Sequence, residues 1–558
     1  MKTTLQYDHY YDYAEMKEGL LRLQEQYPSL MQIQEEAVTR EGRSIFSVTL
    51  GTGKDPARKP AFYMDACTHA GEVAGSMACM YFMDALLTNH EETQIKKLLE
   101  NNTIYIIPRI SPDGTEAYLK TSSWVRSINH PYPEDQRDNH GLYTKDLDGD
   151  NRIGMMRIPS PSGAWKKRED HPFLMTRRRP DDTEGEFFNI YQEGMMDTYD
   201  GAHISVGRNI YGMDFNRNFP ISWMPDAKQP GAGKHPLSET ETKVMADFIL
   251  NHRNICAVLT MHTSGGALLH PPGTHSKNNA DEEDMRMYEE IGSLADDVLK
   301  YPTCNLFDSY CIDPAHFDAG AFDDWCYLNN GIPAFTMEIW NIHEKAGCKP
   351  QWPVDRNKSE KQEAEEIEMI YTWLHKNAYE TITPWHSYEH PQFGKVELGG
   401  IDYKFSVQNP PKQYLKDELE KIFDFSFRYA KILPHLIFET PEVTKISDHI
   451  YRVEINLCNT GYLPTWLTNE AKTLKEDRKI RILTEGCRCI EGTKEIDGLG
   501  GYFNIETFYG YGGNIMTVNH APFVKRLSFL VEGKSGDHLI ITASNERAGT
   551  IKQEVMID

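Results

Sequence analysis

The chain has 558 residues, with 39% apolar and 11% aromatic side chains, a composition typical of a folded globular protein rather than a disordered one. Because this length exceeds what one hydrophobic core usually organises, two or more domains are expected. The formal net charge of −24 argues against binding to nucleic acid or to an anionic membrane. No apolar run has the length of a membrane span, and the first residues, "MKTTLQYDHYYDYAEMKEG", lack the features of a secretory signal. With ten thinly spread cysteines, these features favour a cytoplasmic protein with reduced thiols.

The first part of the chain, up to about residue 380, alternates between helical and strand patterns. Helix-like segments include "MKEGLLRLQEQYP", "AGSMACMYFMDALL" and "SETETKVMADFILNH". Apolar runs of strand length lie between them at 61–66, 103–110, 257–263 and 334–340. Strands that are apolar on both faces and separated by helices predict an α/β domain over residues 1–380, built on a mixed, largely parallel sheet flanked by helices.

Two other regions have a different texture. Within the first domain, residues 127–212 are polar, rich in glycine and proline, and poor in periodicity, which favours a functional rim over a packed element. Residues 381–394 resemble a linker. Beyond it, residues 395–558 alternate apolar and polar positions between turn signals, which predicts a sandwich-like β domain with one helical insert, "KDELEKIFDFSFRYAKIL".

The insert contains "DLDGDNRIG", which places Asp146, Asp148 and Asp150 at alternate positions, as at the start of a calcium loop. However, Gly149 stands at the fourth position instead of the sixth. Arg157 stands at the twelfth, where a bidentate Glu is needed. Bound Ca²⁺ and a solvated acidic turn therefore both stay open.

A histidine and a glutamate three positions apart recur in the chain. His69 and Glu72 lie in "DACTHAGEVAG", where an apolar strand meets a run of small residues. The same spacing occurs at His386 and Glu389 in "WHSYEHP", where nothing else indicates a site. Spacing alone therefore does not separate half of a metal site from a polar turn.

The predicted strand ends favour the first copy. His69 and Glu72 follow the strand 61–66, while His262 and Glu338 lie at the ends of two further strands. In an open α/β sheet, ligands bind outside the carboxyl ends of the strands. Two His and one Glu make a catalytic zinc set with one position left for water. A lone His262 is more often a core histidine, but Glu338 in an apolar strand is harder to explain structurally, because burying an unpaired carboxylate is costly.

A second group of polar residues supports a catalytic site. In "GMDFNRNFP", Asp214 could hold the free ring nitrogen of a zinc-binding His, and Asn216 with Arg217 could grip a carboxylate. Arg126 follows Gly114 of "PDG" by 12 residues. Taken singly, each of these is equally well a polar turn or a surface arginine.

The whole constellation resembles the zinc metallocarboxypeptidases of the carboxypeptidase A/B type. That family has, in order, His-x-x-Glu, Pro-Asp-Gly with a following Arg, Asp-x-Asn-Arg-Asn, a third zinc His followed by a hydroxyl residue, and a Glu beyond an Asp-Trp pair. The resemblance covers about residues 8–380, and "NTGYLPT" loosely resembles the appended C-terminal domain of some bacterial members. The matching positions are His69–Glu72, Pro112–Gly114 with Arg126, Asp214–Asn218, His262–Thr263, and Asp324–Trp325 with Glu338.

Two positions near the Asp-Trp pair depart from the pattern or refine it. The position at which the family commonly places a mobile, substrate-covering Tyr falls on His316, with Tyr310 six positions away. The specificity position just before the pair is Asp323, and an acidic residue there goes with basic C-terminal side chains in the family. A structural Asp323, paired with a cation such as those in "MTRRRP", is the equally weighted alternative.

The resemblance implies a zinc-dependent carboxypeptidase with one Zn²⁺ per chain and a peptide with a free C-terminus as its substrate. It implies that Glu338 acts as the general base, that Arg126 stabilises the oxyanion, and that Asn216 and Arg217 bind the terminal carboxylate. A second hypothesis is a zinc amidase or deacylase, or a cell-wall peptide hydrolase, that acts on a small carboxylate-bearing substrate. A non-catalytic binding module is a third, although every required position is filled. Homo-oligomerisation is left open.

Overall fold

The computed structural model describes residues 1–132, 141–207, 211–311, 317–355, 357–474 and 478–558. The chain begins with α1 Tyr13–Gln26, β1 Met31–Val38, β2 Ser44–Leu50, β3 Ala61–Ala66, α2 Val73–Thr88, α3 Thr93–Asn101, β4 Thr103–Ile107 and α4 Pro112–Lys120. The insert follows with β5 Leu142–Thr144, β6 Met155–Pro159, β7 Trp165–Lys167, β8 Met175–Arg177, β9 Phe188–Gln192 and β10 Gly194–Met196.

The chain then returns to longer elements, namely α5 Thr240–Asn251, β11 Ile255–Thr263, β12 Ala267–His270, α6 Glu282–Leu299, β13 Thr303–Asn305, α7 Leu306–Ser309, α8 Phe322–Asp324, β14 Ala334–Ile339, α9 Ile342–Ala346 and α10 Glu360–Asn377. The last part contains β15 Ile382–His390, β16 Gly394–Ile401, α11 Lys412–Tyr429, β17 Leu436–Phe438, β18 Glu442–Ser447, β19 Ile450–Asn459, α12 Asn469–Thr473, β20 Ile480–Gly486, β21 Arg488–Gly492, β22 Glu495–Ile496, β23 Ile505–Tyr509, β24 Ile515–Asn519, β25 Val524–Glu532, β26 His538–Asn545 and β27 Gly549–Met556.

The largest sheet has eight strands in the order β1-β2-β4-β3-β11-β14-β12-β13. Its centre is parallel, because β4, β3, β11 and β14 pair in the same direction. At one side, β1 is antiparallel to β2 and β2 to β4. At the other, β12 is antiparallel to β14 and parallel to β13. Every residue of β3, β4 and β11 is buried, as expected for a parallel sheet covered by helices. The predicted mixed, largely parallel sheet flanked by helices is confirmed.

Helix α2 packs unusually close to this sheet. It is buried along its length from Val73 to Leu87. A methyl group added at Gly75 would lie 2.9 Å from the Met261 Cβ atom of β11, so only a glycine allows this approach. The close packing fixes where α2 begins, and therefore where the turn between β3 and α2 lies.

The insert contains more regular structure than its sequence indicates. Strands β6, β9, β7 and β8 join β15 and β16 in a six-stranded antiparallel sheet, and β5 pairs with β10. Its small core includes Met156, Ile158 and Leu398. Residues 381–394, predicted to be a linker, contain the whole of β15, and the Trp385 Nε1 atom of this strand donates to the Phe173 carbonyl oxygen of the insert at 2.9 Å.

A second core lies in the C-terminal part of the chain. The sheets β17-β19-β25-β21 and β22-β20-β26-β27 share buried residues that include Val453, Phe529, Ile482 and Ile541. This sandwich-like antiparallel architecture agrees with the predicted β domain. Helix α11, predicted as part of that domain, instead packs on α2 and α6 in the larger core. The second core begins at Leu436, although Tyr462, Leu463, Leu467 and Phe503 beyond it pack in the larger core.

Two further observations concern the chain as a whole. Within the described residues, no helix combines the length and apolar character that a membrane crossing requires. All ten cysteines are free thiols in this structure.

Candidate active site

The candidate site lies at the carboxyl ends of three adjacent strands, β3, β11 and β14. Parallel pairing of β11 with β14 places His262 directly beside Glu338. His69 and Glu72 lie in the turn after β3, and Glu72 is the N-cap residue of α2. The topology of the sheet therefore brings together residues that are up to 269 positions apart, 338 minus 69, in the sequence.

The turn between β3 and α2 is held from one side by the segment that carries Arg126. The Ala70 N–H donates to the Arg126 carbonyl oxygen at 2.7 Å, and the Ser127 hydroxyl donates to the Thr68 carbonyl oxygen at 2.9 Å. A side chain at Gly114 would collide with the Ser127 carbonyl oxygen. The glycine of "PDG" therefore permits the contact that positions Arg126 beside the turn.

His69, Glu72 and His262 form a compact, buried cluster. His69 Nδ1 lies 2.8 Å from Glu72 Oε1, and His262 Nδ1 lies 2.9 Å from Glu72 Oε2. The two Nδ1 atoms are 3.1 Å apart. The three residues each offer one ligand atom, and these three atoms lie within 4.8 Å of one another. The cluster is therefore a candidate metal site.

The chemistry of these donors fits a divalent cation. His69 Nε2 lies 3.0 Å from Asp214 Oδ1, an arrangement that assigns the ring proton to Nε2 and leaves a lone pair on Nδ1. That lone pair faces the Glu72 carboxylate, which also has only acceptors. Burial opposes both of the following shifts: the Glu72 charge raises the pKa of His262, and His69 and His262 in their protonated forms lower the pKa of Glu72. The protein groups thus favour positive charge at their centre, and Zn²⁺ supplies it.

Asp214 links the cluster to Arg126. Besides its contact with His69, its Oδ1 accepts from the Asn216 N–H at 2.8 Å, and its Oδ2 accepts from Arg126 Nε and Nη2 at 3.0 and 2.9 Å. Burial would raise the pKa of Asp214, but Arg126 and then His69 hold it well below its usual range. Arg126 Nη1 lies 3.7 Å from Glu72 Oε1, so the guanidinium stands at the edge of the cluster.

Glu338 faces the same space from β14. Burial, followed by the negative charge of Glu72, raises its pKa, while His262 and Arg126 act in the opposite direction. A carboxylate with a raised pKa beside a metal cluster is a general-base candidate.

Asn216 and Arg217 lie on a short 3₁₀ turn, Phe215–Arg217, that Asp214 caps. Asn216 Oδ1 accepts from the Phe322 N–H at 2.8 Å, which turns its amide nitrogen away from that contact. Arg217 Nη2 lies 2.7 Å from Asp318 Oδ2, and Arg217 Nη1 donates to the Asn216 carbonyl oxygen at 2.9 Å. The sequence did not single out Asp318.

Asp323 is buried at the wall of the site, where its Oδ2 accepts from the Thr336 hydroxyl at 2.7 Å and its Oδ1 from the Asp324 N–H at 2.9 Å. The alternative in which a cation of "MTRRRP" pairs with it is not observed. Arg177 instead pairs with Glu360, and Arg179 with Asp181. Burial raises the pKa of Asp323.

One cavity of about 1100 Å³ joins these residues. Its lining includes most of the predicted site residues: His69, Glu72, Arg126, Asn216, Arg217, His262, Asp323 and Glu338. His316 lies outside the described residues, whereas Tyr310 does line the cavity.

The cavity wall also contains residues that the sequence did not indicate. The insert contributes, for example, Tyr143, Gln192 and Val206. Tyr403 and Gln408 come from beyond β16, and the ring of Tyr403 packs against Trp124 with 4.9 Å between centroids. Trp124 stands two residues before Arg126, a hint of proximity, but no sequence pattern marks Tyr403 or Gln408.

The acidic turn of the insert does not support bound calcium. Asp146 and Asp148 approach Glu193, not Asp150 as the spacing predicted. Asp146 accepts hydrogen bonds from the N–H groups of Gly149 and Asn151, and Asp148 lies 3.1 Å from His386 Nε2. These contacts are those of a turn stabilised by its own carboxylates.

The fold and the cluster define a candidate mononuclear zinc site at the edge of a largely parallel sheet. A family model described as zinc carboxypeptidase matches residues 16–352, more than half of the chain. The chain therefore belongs to the zinc carboxypeptidase family, a class of metal-dependent hydrolases, which confirms the resemblance. A second model, described as a domain of unknown function, matches residues 435–556.

Individual relatives are distant. The chain is 23% identical over 347 residues to carboxypeptidase O from Bos taurus, covering 60% of this chain and 72% of that one. It is 25% identical over 317 residues to carboxypeptidase B from Rattus norvegicus, covering 54% and 56%. Among solved structures, carboxypeptidase A from Helicoverpa armigera matches with a TM-score of 0.42 at 17% identity, over 67% of this chain and 76% of that one.

Proposed function

We propose that the chain hydrolyses the C-terminal peptide bond of peptides that carry a free terminal carboxylate. One observation carries the proposal: the candidate metal cluster, Glu338 and the Asn216–Arg217 pair line the same cavity. A metal site alone would serve many hydrolases. A carboxylate-binding pair beside it selects substrates by their terminus.

His69, Glu72 and His262 would hold the Zn²⁺, which supplies Lewis acidity to the substrate carbonyl when bound. Glu338 takes the proton of the attacking water and passes it to the leaving amine, a role that its raised pKa and its position beside His262 support.

Arg126, Asn216 and Arg217 orient the substrate in this proposal. Arg217 uses one nitrogen on Asp318 and another on a backbone carbonyl, and its guanidinium has five N–H donors in all. The others, with the Asn216 amide, bind the terminal carboxylate. Arg126, held by Asp214, donates to the carbonyl oxygen as negative charge develops there.

We further propose a preference for basic C-terminal residues. Asp323 lines the cavity, its oxygens accept only neutral donors among the described residues, and Asp318 adds a second carboxylate to the wall. The ammonium group of a C-terminal Lys or the guanidinium group of a C-terminal Arg would supply the positive partner that the Asp323 carboxylate lacks among these contacts.

The test compares one peptide series with C-terminal Lys, Phe or Glu, and the Lys peptide with an amidated C-terminus, with and without a chelator. We expect C-terminal Lys to be released faster than Phe or Glu, and the peptide with the amidated C-terminus to be cleaved little. The chelator should abolish the activity. Equal rates for Lys and Phe would contradict the basic preference. Equal cleavage of the amidated peptide would contradict selection by the terminal carboxylate. No release of the C-terminal residue from any of these peptides would favour the alternative amidase or deacylase.

A further inference from the structure

A segment outside the family match contacts the candidate metal turn. Residues Tyr403–Asn409, which include a short π-helical turn at Lys404–Gln408, lie beyond the matched residues 16–352. They nevertheless pack on the turn between β3 and α2. A side chain at Gly71 would approach the Tyr118 ring to 2.6 Å and Gln408 Nε2 to 2.9 Å, which shows how closely the segment covers this turn.

Asn409 makes the decisive contacts. Its Nδ2 donates to the Gly71 carbonyl oxygen at 2.8 Å, and its Oδ1 accepts from the Ala74 N–H at 3.0 Å. Gly71 and Ala74 flank Glu72 on its two sides along the chain. One fully buried amide therefore holds the backbone on both sides of a candidate metal ligand.

These contacts solve a problem at the start of α2. A helix needs acceptors for its first N–H groups, and the N-cap side chain usually accepts from the second or third residue of the helix. Here the N-cap residue is Glu72, whose carboxylate turns towards His69 and His262 and makes no capping hydrogen bond within the part of the chain that the structure describes. Asn409 accepts from Ala74, the second helical residue, in its place.

Asn409 is itself held in one orientation. Its Nδ2 also lies 3.0 Å from the Lys404 carbonyl oxygen and 3.3 Å from the Tyr118 hydroxyl, which donates to Gln408 Oε1 at 2.9 Å. Three acceptors around one buried NH₂ group fix the amide, so the oxygen must face Ala74.

We propose that Asn409 is a positioning residue for the metal site: by capping α2 in place of Glu72, it leaves the Glu72 carboxylate free to bind the cation. The inference rests on the proposed function in that the cation is Zn²⁺. Removing the amide would let the Glu72 carboxylate turn back to its own helix terminus, and metal affinity would fall.

The test measures the Zn²⁺ affinity of the metal-stripped full-length chain by competition with a chromogenic chelator. We expect Asn409→Ala to weaken zinc binding about 10–100-fold, the usual effect of losing a group that orients a metal ligand. Asn409→Asp keeps an acceptor for the Ala74 N–H at a helix N-terminus, where a carboxylate is favourable, but replaces the donor to the Gly71 carbonyl oxygen with a second oxygen, and should therefore recover only part of that loss.

Asn459 provides a matched control. It is buried, lies in the C-terminal part, and bridges two backbone segments through the Leu463 carbonyl oxygen at 2.9 Å and the His435 N–H at 2.8 Å. Asn459→Ala should lower the temperature of unfolding but leave the zinc affinity unchanged.

The outcomes separate the possibilities. Wild-type affinity in Asn409→Ala, or an equal loss in Asn459→Ala, would overturn the inference and leave the proposed function intact. A wild-type chain that binds no zinc would overturn both. If only Asn409→Asp folds, an affinity more than about 100-fold below wild type would contradict capping as the role, because a variant that keeps the acceptor should lose less than the roughly 10–100-fold expected when the whole group is removed.

Discussion

The chain contains the spacing His-x-x-Glu twice, in two very different regions. His69 and Glu72 lie in a buried turn that leads into a helix, and both side chains face one centre. His386 and Glu389 lie on the strand β15, where residues three apart point to opposite faces of the sheet. The same spacing therefore brings two side chains together in one region and separates them in the other.

The neighbours of the two copies differ as much as the backbones do. The first copy has His262 within 2.9 Å of Glu72 and Asp214 within 3.0 Å of His69. In the second copy, His386 pairs with an acid of the insert, and Glu389 stands opposite Lys395. Whether His-x-x-Glu forms part of a metal site therefore depends on residues far away in sequence. Substitutions in both copies can test this dependence.

The largest effect is expected from Glu72→Ala. The change removes the carboxylate that bridges His69 and His262, so the cluster loses a ligand and two imidazoles are left facing one another. We expect loss of bound zinc and of detectable hydrolysis. Zinc per chain after dialysis, measured together with peptide cleavage, checks this. A variant that retained stoichiometric zinc would contradict the assigned cluster.

Glu338→Gln should keep the metal but lose the base. The amide has the size of the carboxylate and cannot accept the proton of water, so turnover should fall about 10²–10⁴-fold. Zinc content and the temperature of unfolding should stay close to wild type. Normal turnover would show that another group takes the proton.

Arg126→Ala should lower turnover about 10²–10³-fold, the usual cost of losing one oxyanion donor. The structure adds a second consequence. Because Arg126 holds the buried Asp214 through two nitrogens, the variant should also unfold more easily. Steady-state kinetics and thermal unfolding of the zinc-loaded variant measure the two effects. Near-normal turnover would refute the catalytic role.

Much of this architecture could be predicted from the sequence because the signals are local. Strands 61–66 and 257–263 are mostly apolar, and such runs between helices predict a buried parallel sheet, in which every residue of both segments is indeed buried. Once the strands are placed, their carboxyl ends identify His69, His262 and Glu338 as neighbours. Gly75, one of the small residues that follow Glu72, is the position at which α2 packs closely against Met261.

Other features could not be predicted, because they depend on which distant segments meet. The insert appeared irregular, yet its strand β6 pairs with β16, a partner more than 200 positions later, as 397 minus 157 shows. Helix α11 has the apolar face of any amphipathic helix, and nothing local says which core it joins. Tyr403 and Asn409 carry no motif at all, and their place beside the metal turn follows only from that packing.

Asp323→Asn should change selectivity more than rate. The amide keeps an oxygen for the Thr336 hydroxyl but has no charge for a basic side chain. If the proposed preference holds, the ratio of kcat/KM for Lys over Phe should fall roughly 10–100-fold, the value of one hydrogen bond to a charged group. Cleavage of the Phe peptide should change little. An unchanged ratio would assign the selectivity to another residue, with Asp318 the next to be substituted.

The smallest effect is expected from the second copy of the motif. His386→Ala and Glu389→Ala remove exposed side chains from β15, and the first also removes an ion pair with Asp148 and a 3.3 Å contact with the Pro384 carbonyl oxygen. Exposed pairs contribute less than about 1 kcal/mol, so the free energy of unfolding should hardly change, and zinc content and turnover should match wild type. Glu389 and Glu72 occupy the same position of the His-x-x-Glu spacing. A different outcome of the two alanine substitutions therefore shows the effect of the neighbouring residues and not of the spacing. A loss of zinc in either variant would mean that β15 supports the site through the insert, and that the two copies are not independent.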